Sequence, residues 1–286
     1  MEMLKRIFGI APKLESDGSY TPSRLALKLG TVAKTDFENI SYTKYQGSKS
    51  KILVIFTEQK NMEMQNGKLF STGNHPVEAL VPMLHLKNAG FDFEIATPTG
   101  KPVVFEMWAF PEKDEQVKAI YNEYKSSFEQ PKKLKDFIDT SLTDSASYAA
   151  VFVPGGHGAM LGIPEDNNVG EILNWAHENN LFTISLCHGP GSFLATTLNN
   201  QKFTYEGYNM AVFPDSVDNM TPKIGYLPGQ MPWGLSEKLK SLGANIVNTK
   251  SDNTVCLDRE LITGASPLAA NELGKLAAQT LLKELK

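Results

Sequence analysis

The residues with the clearest chemical potential are Cys187 and His188. They end the run Phe182 to Leu186 and precede Gly189, Pro190 and Gly191. A short β-branched, apolar stretch, a tight turn carrying a nucleophile, and residues able to start a helix (Ser192 to Thr196) have the layout of a nucleophile elbow. Such a turn lifts the side chain out of the sheet. It also aims it at a helix N-terminus, whose partial positive charge favours a thiolate. A lone Cys is usually a buried structural residue, but Cys-His-Gly after a strand reads as a nucleophile. Adjacent side chains across an elbow tend to diverge. His188 is therefore expected to give its backbone N–H to an oxyanion and its ring in a supporting role.

Other groups fall at the same edge of the expected sheet. Pro154 to Gly158 ends a second apolar run, and Gly155 and Gly156 there let the backbone approach a ligand and expose N–H groups. Glu78 lies in the first turn of a helix opened by Asn74, His75 and Pro76. In a parallel α/β sheet such first turns share the carboxyl edge with Cys187, so Glu78 could carry protons, although a first-turn Glu also commonly serves its own helix end. Asp215, after Pro214, could orient His188 or simply occupy a turn. The five His show no zinc-type spacing and Cys256 lies far from Cys187. Spacing therefore gives no metal site, and no cofactor is expected.

The elements that must position these groups alternate. Apolar runs near 51–57, 91–97, 148–153 and 182–186 read as buried strands, with late strands at 245–248 and 260–263, one of them possibly antiparallel. Helical spacing follows Pro76, and recurs over 169–179, 233–242 and 268–285. This rhythm predicts an α/β fold, a mainly parallel sheet with helices on both faces. Residues 101–145 break the rhythm with an aromatic patch (Phe105, Trp108, Phe110) and two amphipathic stretches, and read as an inserted small subdomain. Residues 1–48 read as an N-terminal arm packing with it, their first dozen loosely ordered. The core domain is 49–286, interrupted by 101–145.

The chain has 286 residues, 41% of them hydrophobic and 21% charged, with a net charge of −4. No basic excess points to nucleic acid or an anionic membrane. Two Cys make no disulfide framework and point to a reducing, cytoplasmic compartment. No run is long enough to span a bilayer, and Met1 to Pro12 is too short and broken for a signal peptide.

With Asn66 to Pro76, Val153 to His157, Ser185 to Pro190, Phe213 to Asp215, Ile224 to Gly229 and Leu268 to Ala277 in view, the chain resembles the ThiJ/PfpI superfamily. The likeness is to its heat-shock chaperone, glyoxalase III and deglycase branch. The resemblance implies a flavodoxin-like sheet and a homodimer. It implies Cys187 as nucleophile, Glu78 as proton shuttle, His188 and Asp215 completing a triad-like set, and Gly155 and Gly156 holding the oxyanion. It implies glutathione-independent conversion of methylglyoxal or glyoxal to a hydroxy acid, lactate in the first case, through a Cys hemithioacetal. Repair of glycated proteins and holdase binding of unfolded ones come with it, the aromatic patch being a candidate client surface. A peptidase or amidotransferase is the remaining alternative. The metal positions of the family fall here on Lys87, Asp92 and Tyr124, a set from which no zinc site is expected.

Overall fold

The computed structural model describes residues 9–285. The arm carries strands β1 (Lys13–Leu14) and β2 (Ser19–Thr21), then helix α1 (Arg24–Gly30), whose N-cap Ser23 accepts from Ala26 N–H. Core strand β3 (Lys51–Ile55) is followed by β4 (Asn61–Glu63) and β5 (Leu69–Ser71). Helix α2 (Pro76–Asn88) has Pro76 in its first turn, where no backbone donor is missed, and is buried from Pro76 to Leu86. Strand β6 (Asp92–Thr97), helix α3 (Glu115–Glu129), strand β7 (Lys132–Lys133) and helix α4 (Leu134–Ser141) lead to the central strand β8 (Tyr148–Val153). Helix α5 (Asn167–Glu178), capped by Asp166, returns the chain to β9 (Phe182–Leu186). A run of 3-10 turns (Gly189–Asn200), β10 (Asn209–Met210) and the single-turn α6 (Asp215–Asp218) come next. The chain closes with α7 (Leu235–Ser241), β11 (Asn245–Ile246), β12 (Val255–Asp258), β13 (Leu261–Gly264) and α8 (Ala270–Glu284).

The main sheet has seven strands in the order β12-β13-β9-β8-β3-β6-β7. Every neighbouring pair is parallel except β12–β13. The antiparallel strand is thus Val255–Asp258, while β11 pairs only with β10, in a separate parallel two-stranded sheet. Period-two alternation sends Ile52 and Val54 of β3 to one face, with residues of α2, α3 and α8. Leu53 and Ile55 go to the other, with residues of α4 and α5. Helices therefore cover both faces, which is why β3 and β8 are apolar at almost every position.

Residues 101–145 have no core of their own. Val117, Ile120, Tyr124 and Phe128 of α3 join the same apolar cluster as α2 and β3, and β7 lengthens the main sheet. The aromatic patch is packed rather than displayed: Phe110 is buried, and Phe105 and Trp108 pack on the core clusters. The arm pairs with the 61–71 hairpin, giving the four-stranded sheet β1-β2-β5-β4. It touches the 101–145 segment through Lys113 N–H to Ala33 O at 2.8 Å and Thr35 Oγ1 to Asp114 Oδ2 at 2.5 Å. The looseness expected of the first dozen residues falls mostly outside the described residues.

The carboxyl edge of the sheet is stitched together by backbone bonds. His75 N–H donates to Gly155 O at 2.9 Å, tying the start of α2 to the end of β8, and Cys187 N–H donates to Gly264 O at 2.8 Å, tying the end of β9 to that of β13.

Candidate active site

Cys187 has φ +58°, a left-handed backbone that a β-carbon tolerates poorly. The chain holds it there because the residue is tied on both sides, by its own N–H to Gly264 and by its carbonyl, which accepts from Phe213 N–H at 2.9 Å. This is the strained turn of an elbow. Residues 189–200 form a 3-10 run rather than a regular α-helix, so little helix dipole is aimed at the sulfur.

The thiol meets three groups. Its Sγ is 3.4 Å from His188 Nδ1, so the adjacent side chains converge rather than diverge. His188 is stacked on Phe213 with ring centroids 4.7 Å apart, which turns the imidazole back toward the sulfur. The Glu78 carboxyl faces the thiol as a hydrogen-bonding neighbour, while its Oε2 has no bond partner of its own. The Gly156 N–H points at both the sulfur and the Glu78 carboxyl. Gly155 is required by this crowding: a β-carbon there would overlap Glu78 Oε2 and stand 2.5 Å from Leu186 O. Gly156 adopts φ +99°, and its own β-carbon would lie 2.5 Å from Gly73 O.

The carboxylate behind His188 is Asp218, not Asp215. His188 Nε2 lies 2.8 Å from Asp218 Oδ2, and His157 Nε2 lies 3.0 Å from Asp218 Oδ1. Asp215 turns away to cap α7, accepting from Ser236 N–H and Glu237 N–H, both at 2.9 Å. The expectation for Asp215 is corrected on that ground: its two oxygens are committed to orphan amides of a helix end. Burial alone would raise the Asp218 carboxyl, but His188 and His157 pull it well below the usual carboxylate range. An ionised carboxylate only accepts, so both Nε2 atoms carry protons. In the neutral ring that leaves the His188 Nδ1 lone pair facing the sulfur.

Burial, and then the neighbouring Glu78, push the Cys187 thiol well above its ordinary range. Burial likewise raises the Glu78 carboxyl. Two anions side by side in this dry spot are unfavourable, so at rest the pair keeps its protons. The thiolate expected from the elbow alone is thus something the site makes during a reaction, by passing the proton on. The polar atoms of His157, His188 and Asp218 lie within 4.8 Å of one another, close enough for a cation, but the two imidazoles already satisfy both Asp218 oxygens.

A cavity of about 530 Å³ opens above these groups. Glu78, Gly156 and His157 form its floor, and Cys187, 3% exposed, sits behind them. Its outer wall comes from α1 and residues 31–36 of the arm, with Tyr226, Phe213 and Leu268 completing it.

A family model described as the DJ-1/PfpI family matches residues 69–215. Over 269 residues the chain is 48% identical to the protein/nucleic acid deglycase HchA of Escherichia coli, covering 94% of each chain. The chain belongs to the DJ-1/PfpI family. Among solved structures, glyoxalase III of Candida albicans has a TM-score of 0.63 at 21% identity, covering 83% of this chain and 98% of that one. The protein APC35852 has a TM-score of 0.69 at 24% identity, covering 83% and 100%. Both share the α/β fold.

The positions that carry a metal in the family resemblance also meet here. Tyr124 OH donates to Asp92 Oδ1 at 2.6 Å, and Lys87 Nζ lies 3.3 Å from Tyr124 OH and ion-pairs with Glu123. This set does not fit a divalent ion. An ammonium stands among the would-be ligands, and burial, then Asp92, holds the Tyr124 phenol well above its usual range.

Sequence reasoning placed Cys187, Glu78, His188, Gly155 and Gly156 at one sheet edge, and the structure brings these five together. It missed Asp218, His157, Glu106 and Tyr226. Asp218 carries the same signal as Asp215, an Asp in the turn after Phe213-Pro214. His157 ends the Val153 to His157 stretch of the resemblance, where no role was assigned to its side chain.

Proposed function

We propose that this protein turns methylglyoxal, free or released from an amine adduct, into lactate through a hemithioacetal on Cys187. The observation that supports it best is a buried thiol placed between an imidazole lone pair and a second proton carrier, Glu78. As sulfur adds to the aldehyde carbon, the thiol proton passes to His188 Nδ1, and Asp218 steadies the imidazolium through Nε2–H. The Gly156 N–H faces the oxygen that gains charge. Glu78, neutral at rest, gives its proton to that oxygen and then, as carboxylate, takes the proton from the former aldehyde carbon, while the His188 imidazolium protonates the ketone oxygen. An enediol forms, and Glu78 returns the proton to the neighbouring carbon, leaving a lactoyl thioester. Water then cleaves the thioester to lactate and the thiol, so atoms balance without redox cofactor or metal.

Access favours an aldehyde over a peptide bond. A thiol 3% exposed behind a cavity floor admits a small electrophile, not an extended chain. The relative named as a protein/nucleic acid deglycase, at 48% identity, supports the same class of substrate. Cys187→Ala should abolish lactate formation from methylglyoxal. Lactate made by that variant at the wild-type rate would sink the reading.

A further inference from the structure

Two imidazoles share the Asp218 carboxylate, and only one of them has a task in the chemistry above. His188 turns its Nδ1 to the sulfur, is 1% exposed and does not line the cavity. His157 lies on the cavity floor, and its ring rests on that of His188 with centroids 4.0 Å apart. Its Nε2 is 3.0 Å from Asp218 Oδ1, so the proton of the neutral ring sits there and Nδ1 carries the lone pair. Among the described residues that Nδ1 has no hydrogen-bond partner, and it is not sealed from the cavity. The ring is steadied by Phe70, edge to face at 5.6 Å, and by Tyr226 at 5.9 Å. Glu106 and His75 are the other titratable groups that bear on it.

The last step of the proposed reaction needs a base. Water attacks a thioester slowly at neutral pH unless a positioned group takes its proton. That water enters from the cavity, the side on which the thioester is open. Glu78 is held protonated by burial, and His188 faces the sulfur itself. His157 is the remaining imidazole, with a lone pair open to the cavity and a carboxylate behind it.

We propose that His157 is the catalytic base of thioester cleavage, its Nδ1 taking a proton from the attacking water while Asp218 orients the ring through Nε2–H. The inference rests on the thioester route proposed above. As the water oxygen bonds to the acyl carbon, one of its protons passes to His157 Nδ1, and the acyl oxygen gains charge facing the Gly156 N–H. The carbonyl re-forms, the C–S bond breaks and the sulfur leaves with the electron pair. Lactic acid is a far stronger acid than this thiol, whose burial holds its proton, so it leaves a proton on the sulfur and departs as lactate. His157 gives its proton to solvent, so one water is consumed and one proton released. The Asp218 charge thus serves the two rings in turn, His188 while the C–S bond is made and His157 while it is broken. Two imidazolium rings stacked at 4.0 Å would repel each other, which suits this alternation.

Steady-state and quenched-flow kinetics on His157→Gln test it, because Gln can still donate to Asp218 but offers no basic nitrogen. With methylglyoxal, kcat for lactate should fall on the order of 10²-fold or more while kcat/KM stays within about tenfold, since the thioester still forms and only its cleavage slows. A lactoyl group should accumulate on Cys187, stable to acid and released by hydroxylamine as the hydroxamate, unlike a hemithioacetal. An unchanged kcat overturns the proposal. So does an equal loss in kcat and kcat/KM without acyl-enzyme, the pattern of a purely structural His157. Should the variant fail to fold, wild-type protein decides: diethylpyrocarbonate should modify His157 in the folded chain and leave the same stalled acyl-enzyme. His157 untouched by the reagent, or modified with full turnover, overturns it. Wild type that makes no lactate removes the proposed function and this step with it, whereas normal wild-type turnover beside any of the contrary results removes this step alone.

Discussion

Asp215 and Asp218 are the two ends of a single helical turn, and which of them faces His188 separates a triad from a helix cap. No spacing rule decides between them, because both follow the same Pro-initiated turn. The choice is made by α7, whose unsatisfied amides claim Asp215. Two variants separate the roles. Asp218→Asn leaves an amide that cannot accept from two Nε2–H donors in the same way, and should lower kcat/KM for methylglyoxal on the order of 10²- to 10⁴-fold. Asp215→Ala should cost about 1 kcal/mol of stability through the lost cap, read as a lower Tm, with catalysis largely kept. The reverse pattern would restore Asp215 to the triad. Glu106 supports a pH prediction. Its folded pKa is raised to about 7 from 4.5, so the folded state holds an extra proton between those values and stability falls as pH rises through that window. Glu106→Gln should remove on the order of 3 kcal/mol of that fall, seen by urea unfolding at pH 5 and pH 8. Cys187, Glu78 and His188 were legible because each sits at a strand end or first turn whose direction the fold dictates. Glu106 was not, since it lies in an irregular segment where nothing in the pattern says which side chains turn inward.

At the scale of elements, the long apolar strands announce themselves because burial on both faces leaves no room for polar residues. The two- and three-residue strands β1, β2, β4 and β5 have too few positions to show any period, so their sheet appears only in three dimensions. The junction of β8 with α2 is tightly built. Gly155→Ala would drive a methyl into Glu78 Oε2 and the Leu186 carbonyl, and the backbone carbonyl cannot swing aside. We expect loss of lactate formation together with about 1–3 kcal/mol of destabilisation. A variant as active as wild type would show that the floor is looser than these contacts imply. Elsewhere, the Lys87–Tyr124–Asp92 chain links α2, α3 and β6 as a strut of side chains. Metal analysis of protein purified without chelator should find no stoichiometric zinc that is lost on Asp92→Ala, and finding it would refute this account of the three residues.

For the molecule as a whole, alternating strands and helices fixed the sheet and its active edge, whereas the place of the arm was not legible. Its sequence has weak patterning because it is held by scattered polar bonds and by isolated aromatic contacts of Phe37, Tyr42 and Tyr45 rather than by a continuous apolar stripe. Tyr42 OH lies 2.9 Å from His85 Nδ1, His85 Nε2 lies 2.9 Å from Asn271 Oδ1, and Glu38 N–H donates to Asn271 Oδ1 at 3.0 Å. Among the described residues no helix is long and apolar enough to cross a membrane.

The cavity wall draws on residues 26–36, 75–78, 106, 156–157, 213–226 and 251–268, nearly the full span of the chain. Such a vessel has no local nucleus: its first wall is synthesised early and its last after more than two hundred residues of intervening chain. Until both ends have docked, Cys187 is an ordinary thiol at the end of a strand, with neither its floor nor its cover. Catalytic competence should therefore be among the last properties gained on refolding, lactate formation lagging behind the recovery of far-UV circular dichroism.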